Sequence, residues 1–211
     1  MTSDSGVGDH YARRRQRTEA RIVTAATELF TNQGYAATSL REVAQRAGVS
    51  ERSLYQHFAT KVVLFQRVVE VGIVGDVGAE PMTERPWSRA AVTAPTLADR
   101  VEAFADGVAE MTGRLEPLMA VNAEVENSEP AVRESAGHWR RATLDYLYAF
   151  WHGAARDGLL PPDTDVEWLA ATTAVLSAAE SRLLISRTFG WDAERYRQWL
   201  VRTWLELAAR P

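Results

Sequence analysis

The chain has 211 residues, of which 46% are hydrophobic and 25% charged, and no cysteine. That is the composition of a folded globular chain with room for a sizeable core, and it excludes a collagen, a disordered acidic tail and a coiled-coil rod. Without thiols, disulfides, thiolate metal sites and cysteine nucleophiles are excluded as well. The net charge of −4 averages over an asymmetry: residues 1–70 hold ten basic against seven acidic side chains, while the rest carries net −7. No apolar run reaches the length a membrane span needs and no secretory signal is visible, so a cytoplasmic protein is expected.

Residues 1–17 are small, polar and then basic (Arg13-Arg-Arg-Gln-Arg17), and are expected to form a disordered basic arm able to touch phosphate. From Thr18 the apolar residues Ile22, Ala25, Ala26, Leu29 and Phe30 recur at the spacing of an amphipathic helix, with Gly34 as its expected C-cap. Ser39-Leu-Arg-Glu42 is a capping box opening a second helix, which carries Leu40, Val43, Ala44 and Ala47 and stops at Gly48. Ser50 is placed to cap a third short helix, which buries Leu54 and Phe58.

Lys61 opens a fourth helix with a dense apolar face, and residues 72–95, rich in Gly, Pro, Thr and Ala, read as an irregular connection. Helices follow over Leu97–Thr112, Glu116–Glu126, Val132–Asp157, Asp165–Thr188 and Asp192–Ala209, broken at Gly113, before Pro130, at Gly158 and at Gly190. No alternating pattern competes, so the fold class is all-α. The division expected is a helix-turn-helix head over 18–60 and a helical-bundle body for ligand binding and dimerisation over 61–211.

A short helix, a glycine turn and a second short helix have the geometry of a helix-turn-helix, with Ala44, Gly48 and Leu54 as the small, turn and anchor residues. A plain αα-corner also satisfies that pattern. The surrounding residues Ile22-Val-Thr-Ala-Ala-Thr-Glu-Leu-Phe, Gly34-Tyr-Ala-Ala-Thr-Ser-Leu-Arg-Glu-Val-Ala-Gln-Arg-Ala-Gly-Val-Ser and Ser53-Leu-Tyr-Gln-His-Phe-Ala-Thr-Lys61 resemble the tetracycline-repressor (TetR) family of bacterial transcriptional regulators. The resemblance covers about 45 residues and ends near residue 70. It implies a three-helix DNA-binding head, a body that binds a small molecule, and a homodimer that reads palindromic double-stranded operator DNA.

Carried over by position, the resemblance places DNA contacts on Ser39, Arg41, Ser50, Glu51, Arg52, Ser53, Tyr55, His57 and Lys61. The Ser50 and Ser53 hydroxyls suit phosphate, whereas Arg41 and Arg52 suit guanine, whose O6 and N7 accept from one guanidinium. Tyr55 and His57 read as backbone clamps, against partial core packing for the first and a solvated imidazole for the second. Lys61 is expected on phosphate, and Glu51 is favoured as a helix-start carboxylate over an acceptor for cytosine.

Farther along, Phe104, Met111, Met119, Trp139, Tyr146, Phe150 and Trp151 gather in the middle helices and are the candidates for an apolar effector pocket, against the plainer reading of core packing. The last two helices carry two apolar stripes each; Leu169, Leu176, Leu183, Trp199, Val201, Trp204 and Leu205 are assigned to a dimer interface. No cofactor or metal is expected, and His138 and His152 lack a metal-binding spacing. The functional reading is a dimeric repressor, released from its operator by a small hydrophobic or amphipathic molecule. The alternative is a helical carrier or enzyme with a vestigial head, but no nucleophile elbow, P-loop or dinucleotide fingerprint supports catalysis.

Overall fold

The computed structural model of the chain describes residues 5–78 and 82–210. Among these residues it contains ten α-helices and no strand. They are α1 (Ser5–Ala37), α2 (Leu40–Ala47), α3 (Glu51–His57), α4 (Lys61–Val74), α5 (Pro86–Thr93), α6 (Leu97–Ser128), α7 (Pro130–Arg156), α8 (Val166–Leu176), α9 (Ala179–Phe189) and α10 (Ala193–Ala208). Two compact units result: Met1–Ala79 with Ala120–Arg133, and Glu80–Met119 with Glu134–Pro211. The expected boundary after residue 60 therefore moves past α4, and the last turns of α6 and the first of α7 join the head.

In the head, Ile22, Ala26 and Phe30 of α1, Val43 of α2, Leu54 of α3, and Leu64 and Phe65 of α4 have no exposed surface. Burying each of the larger side chains stabilises the unit by about 1.5–3 kcal/mol. Phe30, Tyr35 and Phe65 pack as a triad of rings with centroids 5.3–5.6 Å apart. The Tyr35 hydroxyl donates to Glu129 at 3.3 Å, and burial, with help from the Glu129 charge, pushes its pKa up to about 12.

One expectation for the start of the chain fails. Residues 1–4 lie outside the described residues, but Ser5–Arg17, read as a disordered arm, are the opening turns of α1. The arm is polar, which mimics disorder, yet its Ala, Arg and Gln are good helix formers attached to a helix already nucleated by its buried face. Gly34 does interrupt α1 where a helix end is expected: its φ of 84° and ψ of 166° lie outside the helical region, although not at the angles of a left-handed cap, and only the short turn Tyr35–Ala37 follows.

The second unit buries Phe104, Val108, Leu147, Phe150, Trp151, Leu169, Tyr196, Leu200 and Trp204 in one core. Part of the connection read as irregular is helical there. In α5, Pro86 occupies a first-turn position, and the Trp87 ring lies where a Cβ on Gly107 would stand, 2.4 Å from its Cδ2. Only a glycine lets the indole rest on α6 that closely.

The break expected at Gly113 is absent, because α6 runs through both Gly113 and Pro117. Pro117 removes the hydrogen bond that would reach the Gly113 carbonyl four residues back and presses its ring toward it. Gly113 has nothing within 4 Å of where a Cβ would stand, and the helix continues past both residues. Conversely, the single helix expected over Asp165–Thr188 is two, α8 and α9. Ser177 turns its hydroxyl back onto the Thr173 carbonyl at 2.8 Å, and Ala178 adopts extended angles, φ −64° and ψ 145°.

Candidate nucleic-acid interface

Local chemistry fixes the α2–α3 corner. Glu42 N–H donates to the Ser39 hydroxyl at 3.2 Å while Ser39 N–H donates to the Glu42 carboxylate at 2.8 Å, closing the expected capping box. The Ser39 hydroxyl, which also donates to that carboxylate at 2.7 Å, and then the Ser39 N–H hold the Glu42 carboxyl below the ordinary glutamate range. Gly48 ends α2 in the left-handed conformation, φ 62° and ψ 38°, and Ser50 caps α3 by accepting from Ser53 N–H at 3.1 Å. Arg21 of α1 donates to the carbonyls of Ala47 at 2.6 Å and Gly48 at 3.0 Å, satisfying orphan acceptors at the end of α2.

With Val43, Ala44, Ala47 and Leu54 buried underneath, the corner presents one outward face. Arg41, Glu51, Arg52, Tyr55 and Gln56 are exposed there, and Ser53 is half-buried at its edge. The Arg41 side chain is 83% exposed and stands 3.8 Å from Glu51, a pairing that solvent makes nearly neutral in energy. Glu51 thus lies in the first turn of α3 beside an arginine. Tyr55, 53% exposed, is not a core residue.

Two of the expected contacts change character. Lys61 donates its ammonium protons to the carbonyls of Tyr35 at 2.9 Å, Thr38 at 3.0 Å and Ala36 at 3.5 Å, and sits 4.3 Å from the centre of the Tyr35 ring. An ammonium has three N–H groups, so Lys61 ties α4 to the end of α1 and is not presented to phosphate. His57 is half-buried; burial, and then repulsion from Arg15, push its pKa below the ordinary value. It therefore presents a neutral imidazole, not a cation.

The structure gives two arginines of the expected basic arm a fixed place and adds a third that sequence reasoning passed over. Arg14, Arg17 and Arg21 stand on one face of α1 and, with Thr18, line a cleft of about 350 Å³ whose other wall is Val49, Ser50 and Ser53. Their spacing of three and four was visible, but it signals a face only if the arm is helical.

In the second unit, Phe104, Phe150 and Trp151 pack against one another with centroids 4.8–5.0 Å apart. Trp151 Nε1 donates to Thr173 at 2.8 Å. Tyr146, half-buried, joins Phe104 at 5.4 Å, Met119 is buried, and Met111 and Trp139 are half-buried. The residues assigned to a dimer interface divide differently. Leu169 and Trp204 are 1% and 0% exposed within the single chain and belong to its core, while Leu176, Trp199, Val201 and Leu205 pack partly buried against that core and Leu183 is half-buried. The large exposed apolar side chains of α8 and α9 are instead Trp168, Val175, Leu184 and Phe189. The break at Ser177–Ala178 resets the helical phase, which a continuous stripe could not anticipate.

A helix-turn-helix corner on an all-helical chain defines the class. Residues 22–68 match the model of the family described as bacterial regulatory proteins, tetR family. The chain is 42% identical over 65 residues to the HTH-type transcriptional activator FasR of Mycolicibacterium smegmatis, a match spanning 30% of each chain. It is also 28% identical over 156 residues to the uncharacterized HTH-type transcriptional regulator YezE of Bacillus subtilis, spanning 72% of this chain and 77% of that one. The fold of a TetR transcription regulator from Haloarcula marismortui superimposes with a TM-score of 0.68 at 14% identity, over 90% of this chain and 96% of that one. Residues 22–68 thus match the head of the TetR family, and over most of its length the chain has the fold of solved TetR regulators.

Proposed function

We propose that this protein is a DNA-binding transcriptional regulator, a repressor that grips an inverted-repeat operator as a homodimer and releases it when a small apolar or amphipathic molecule enters the body. The observation that carries the reading is the exposed face of α2 and α3, where Arg41, Arg52 and Tyr55 stand out from a corner locked by two serine caps and Gly48. An α-helix fits the major groove of B-DNA, and an arginine on it can donate to both acceptors of a guanine. Two such helices on a twofold axis reach successive major grooves about 34 Å apart.

For the effector, the support is the aromatic core of the second unit. Trp204 Nε1 is buried there without an acceptor, an arrangement that leaves the desolvation of an indole N–H uncompensated. A ligand bringing an oxygen acceptor among Phe104, Phe150 and Trp151 relieves it. A coupling of about 1–3 kcal/mol between body and head suffices for regulation.

The test is selection from random duplex DNA, run beside Arg52→Ala. An inverted repeat is expected from the wild type, with preference at one position of each half-site relaxed in the variant, by about 1–3 kcal/mol of discrimination. No enriched sequence from the wild type, with or without small molecules that bind the body, overturns the reading.

A further inference from the structure

Within the second unit, Arg182 of α9 is 4% exposed, yet its guanidinium is only partly matched. Nη1 donates to the Trp191 carbonyl at 2.8 Å, and Nη2 stands 3.1 Å from the carboxylate of Glu116 on α6. Nε, which shares an edge of the guanidinium with Nη2, is buried with no acceptor among the described residues. Arg100, buried to a similar depth in the same unit, is fully engaged on that edge: its Nε donates to the Ala94 carbonyl at 2.8 Å and its Nη2 to Asp157 at 2.7 Å. A buried cation with an idle N–H is destabilising until an acceptor reaches it.

We propose that Arg182 is a carboxylate-binding residue of the body, and that the molecule it takes is a carboxylic acid with an apolar tail. This rests on the effector reading above and deepens it by naming the chemical class of the ligand. The Nε–Nη2 edge offers two parallel N–H donors, spaced to meet both oxygens of one carboxylate, and Glu116 stands beside only one of them. Glu116 is half-buried, so a ligand carboxylate that engages both donors can turn it out to water. The surroundings of the guanidinium define the tail. Its Cζ lies 5.3 Å from the centre of the Tyr196 ring, and Tyr196, Leu200 and Trp204, none of them exposed, form one stripe along α10. The stripe ends at Trp204, about 12 Å along the helix axis, where the unmatched indole N–H suits a neutral oxygen at the far end of the tail.

The test measures binding to the full-length protein by calorimetry for alkanoates from butanoate to dodecanoate, with and without a terminal hydroxyl, each beside the primary amide of the same chain. At least one acid is expected to bind about tenfold or more tightly than its amide, because only the carboxylate meets the guanidinium through two charge-assisted bonds. Arg182→Gln is expected to erase that difference. Since Arg182 also holds the Trp191 carbonyl, that variant can lose its fold, and Glu116→Gln supplies the independent arm. It keeps the shape of the side chain and removes the competing charge, so the acid is expected to bind about three- to tenfold more tightly than to the wild type, with the amide unmoved.

Equal binding of acids and amides throughout the series, or none by either, overturns the proposal. So does a preference for acids that Glu116→Gln leaves unchanged or weakens, which would place the carboxylate away from Arg182. Operator affinity measured with the same compounds separates the two readings. Amides that loosen the operator as well as the acids do overturn the carboxylate site and leave the effector reading standing. An acid that binds in the expected pattern but leaves operator affinity unchanged supports the site and removes the effector reading.

Discussion

Gly48 is asked to do two things at one position. Its φ of 62° is a conformation that costs other residues about 1–2 kcal/mol, and a Cβ there would stand 2.7 Å from Arg21 Nη2, in the seat from which that guanidinium reaches the end of α2. Gly48→Ala is therefore expected to lose about 2 kcal/mol or more in chemical denaturation, the backbone strain plus displacement of Arg21. A double-mutant cycle with Arg21→Ala separates the two contributions, because the clash disappears when the guanidinium does. Strict additivity would show that the guanidinium yields to the methyl group at no cost. Arg52 differs from both in its contacts: it is exposed, and unlike Arg21 it holds no backbone carbonyl of the corner, so its replacement is expected to alter recognition and leave stability alone.

At the scale of the element, α2 is eight residues long, too short to persist without its ends. Replacing Ser39 by Ala removes the acceptor for the Glu42 N–H and is expected to cost about 1 kcal/mol. Glu42 adds a pH dependence whose sign follows from its lowered pKa. The carboxylate stabilises the fold above the ordinary glutamate value, and that contribution is lost as pH falls through the depressed folded value. The denaturation midpoints of wild type and Glu42→Gln should therefore differ at neutral pH and converge in acid. A constant gap down to strongly acid pH would mean that the carboxylate is not what holds the cap.

This element was legible in the sequence because a capping box and a turn glycine are local chemistry, set by residues three to nine apart. The same locality made Arg41, Arg52 and Tyr55 legible as an outward face. Lys61 was not, since the carbonyls it satisfies lie 23–26 residues earlier and nothing about a lysine at a helix start announces them. Arg14 and Arg17 were legible as cations of a basic arm but not as one face of a helix, for a different reason: a polar segment was read by composition when its helicity is borrowed from the buried turns that follow it. The continuity of α6 and the division of α8 from α9 depend on how backbone carbonyls are accommodated at Gly113 and Ser177, which apolar periodicity does not encode.

For the whole molecule, the decisive question is what covers α8 and α9. Val175 and Leu184 are each 66% exposed, Phe189 62% and Trp168 49%, on the two helices nearest the sequence stripes first assigned to an interface. Exposed apolar residues gathered on neighbouring helices mark an interaction surface, and a second copy is the occupant that the proposed inverted-repeat operator calls for. If the proposed dimer forms through this surface, the wild type is expected to sediment at twice 23.5 kDa and the Val175→Arg/Leu184→Arg variant at 23.5 kDa, with its thermal unfolding as an isolated chain little affected. Leu169→Ala is the contrast: Leu169 is 1% exposed, so truncating it is expected to cost about 2–5 kcal/mol of stability and to act on the dimer only through the fold. Splitting the proposed dimer would remove the tethering of one head by the other, so affinity for the full repeat should fall about 10²–10⁴-fold toward that for a half-site, while the preference within each half-site, assigned in the proposal to Arg41 and Arg52, is expected to persist. A double variant that remains dimeric would move the interface off α8 and α9. One that is monomeric yet keeps full operator affinity would show that each head binds without help from the other.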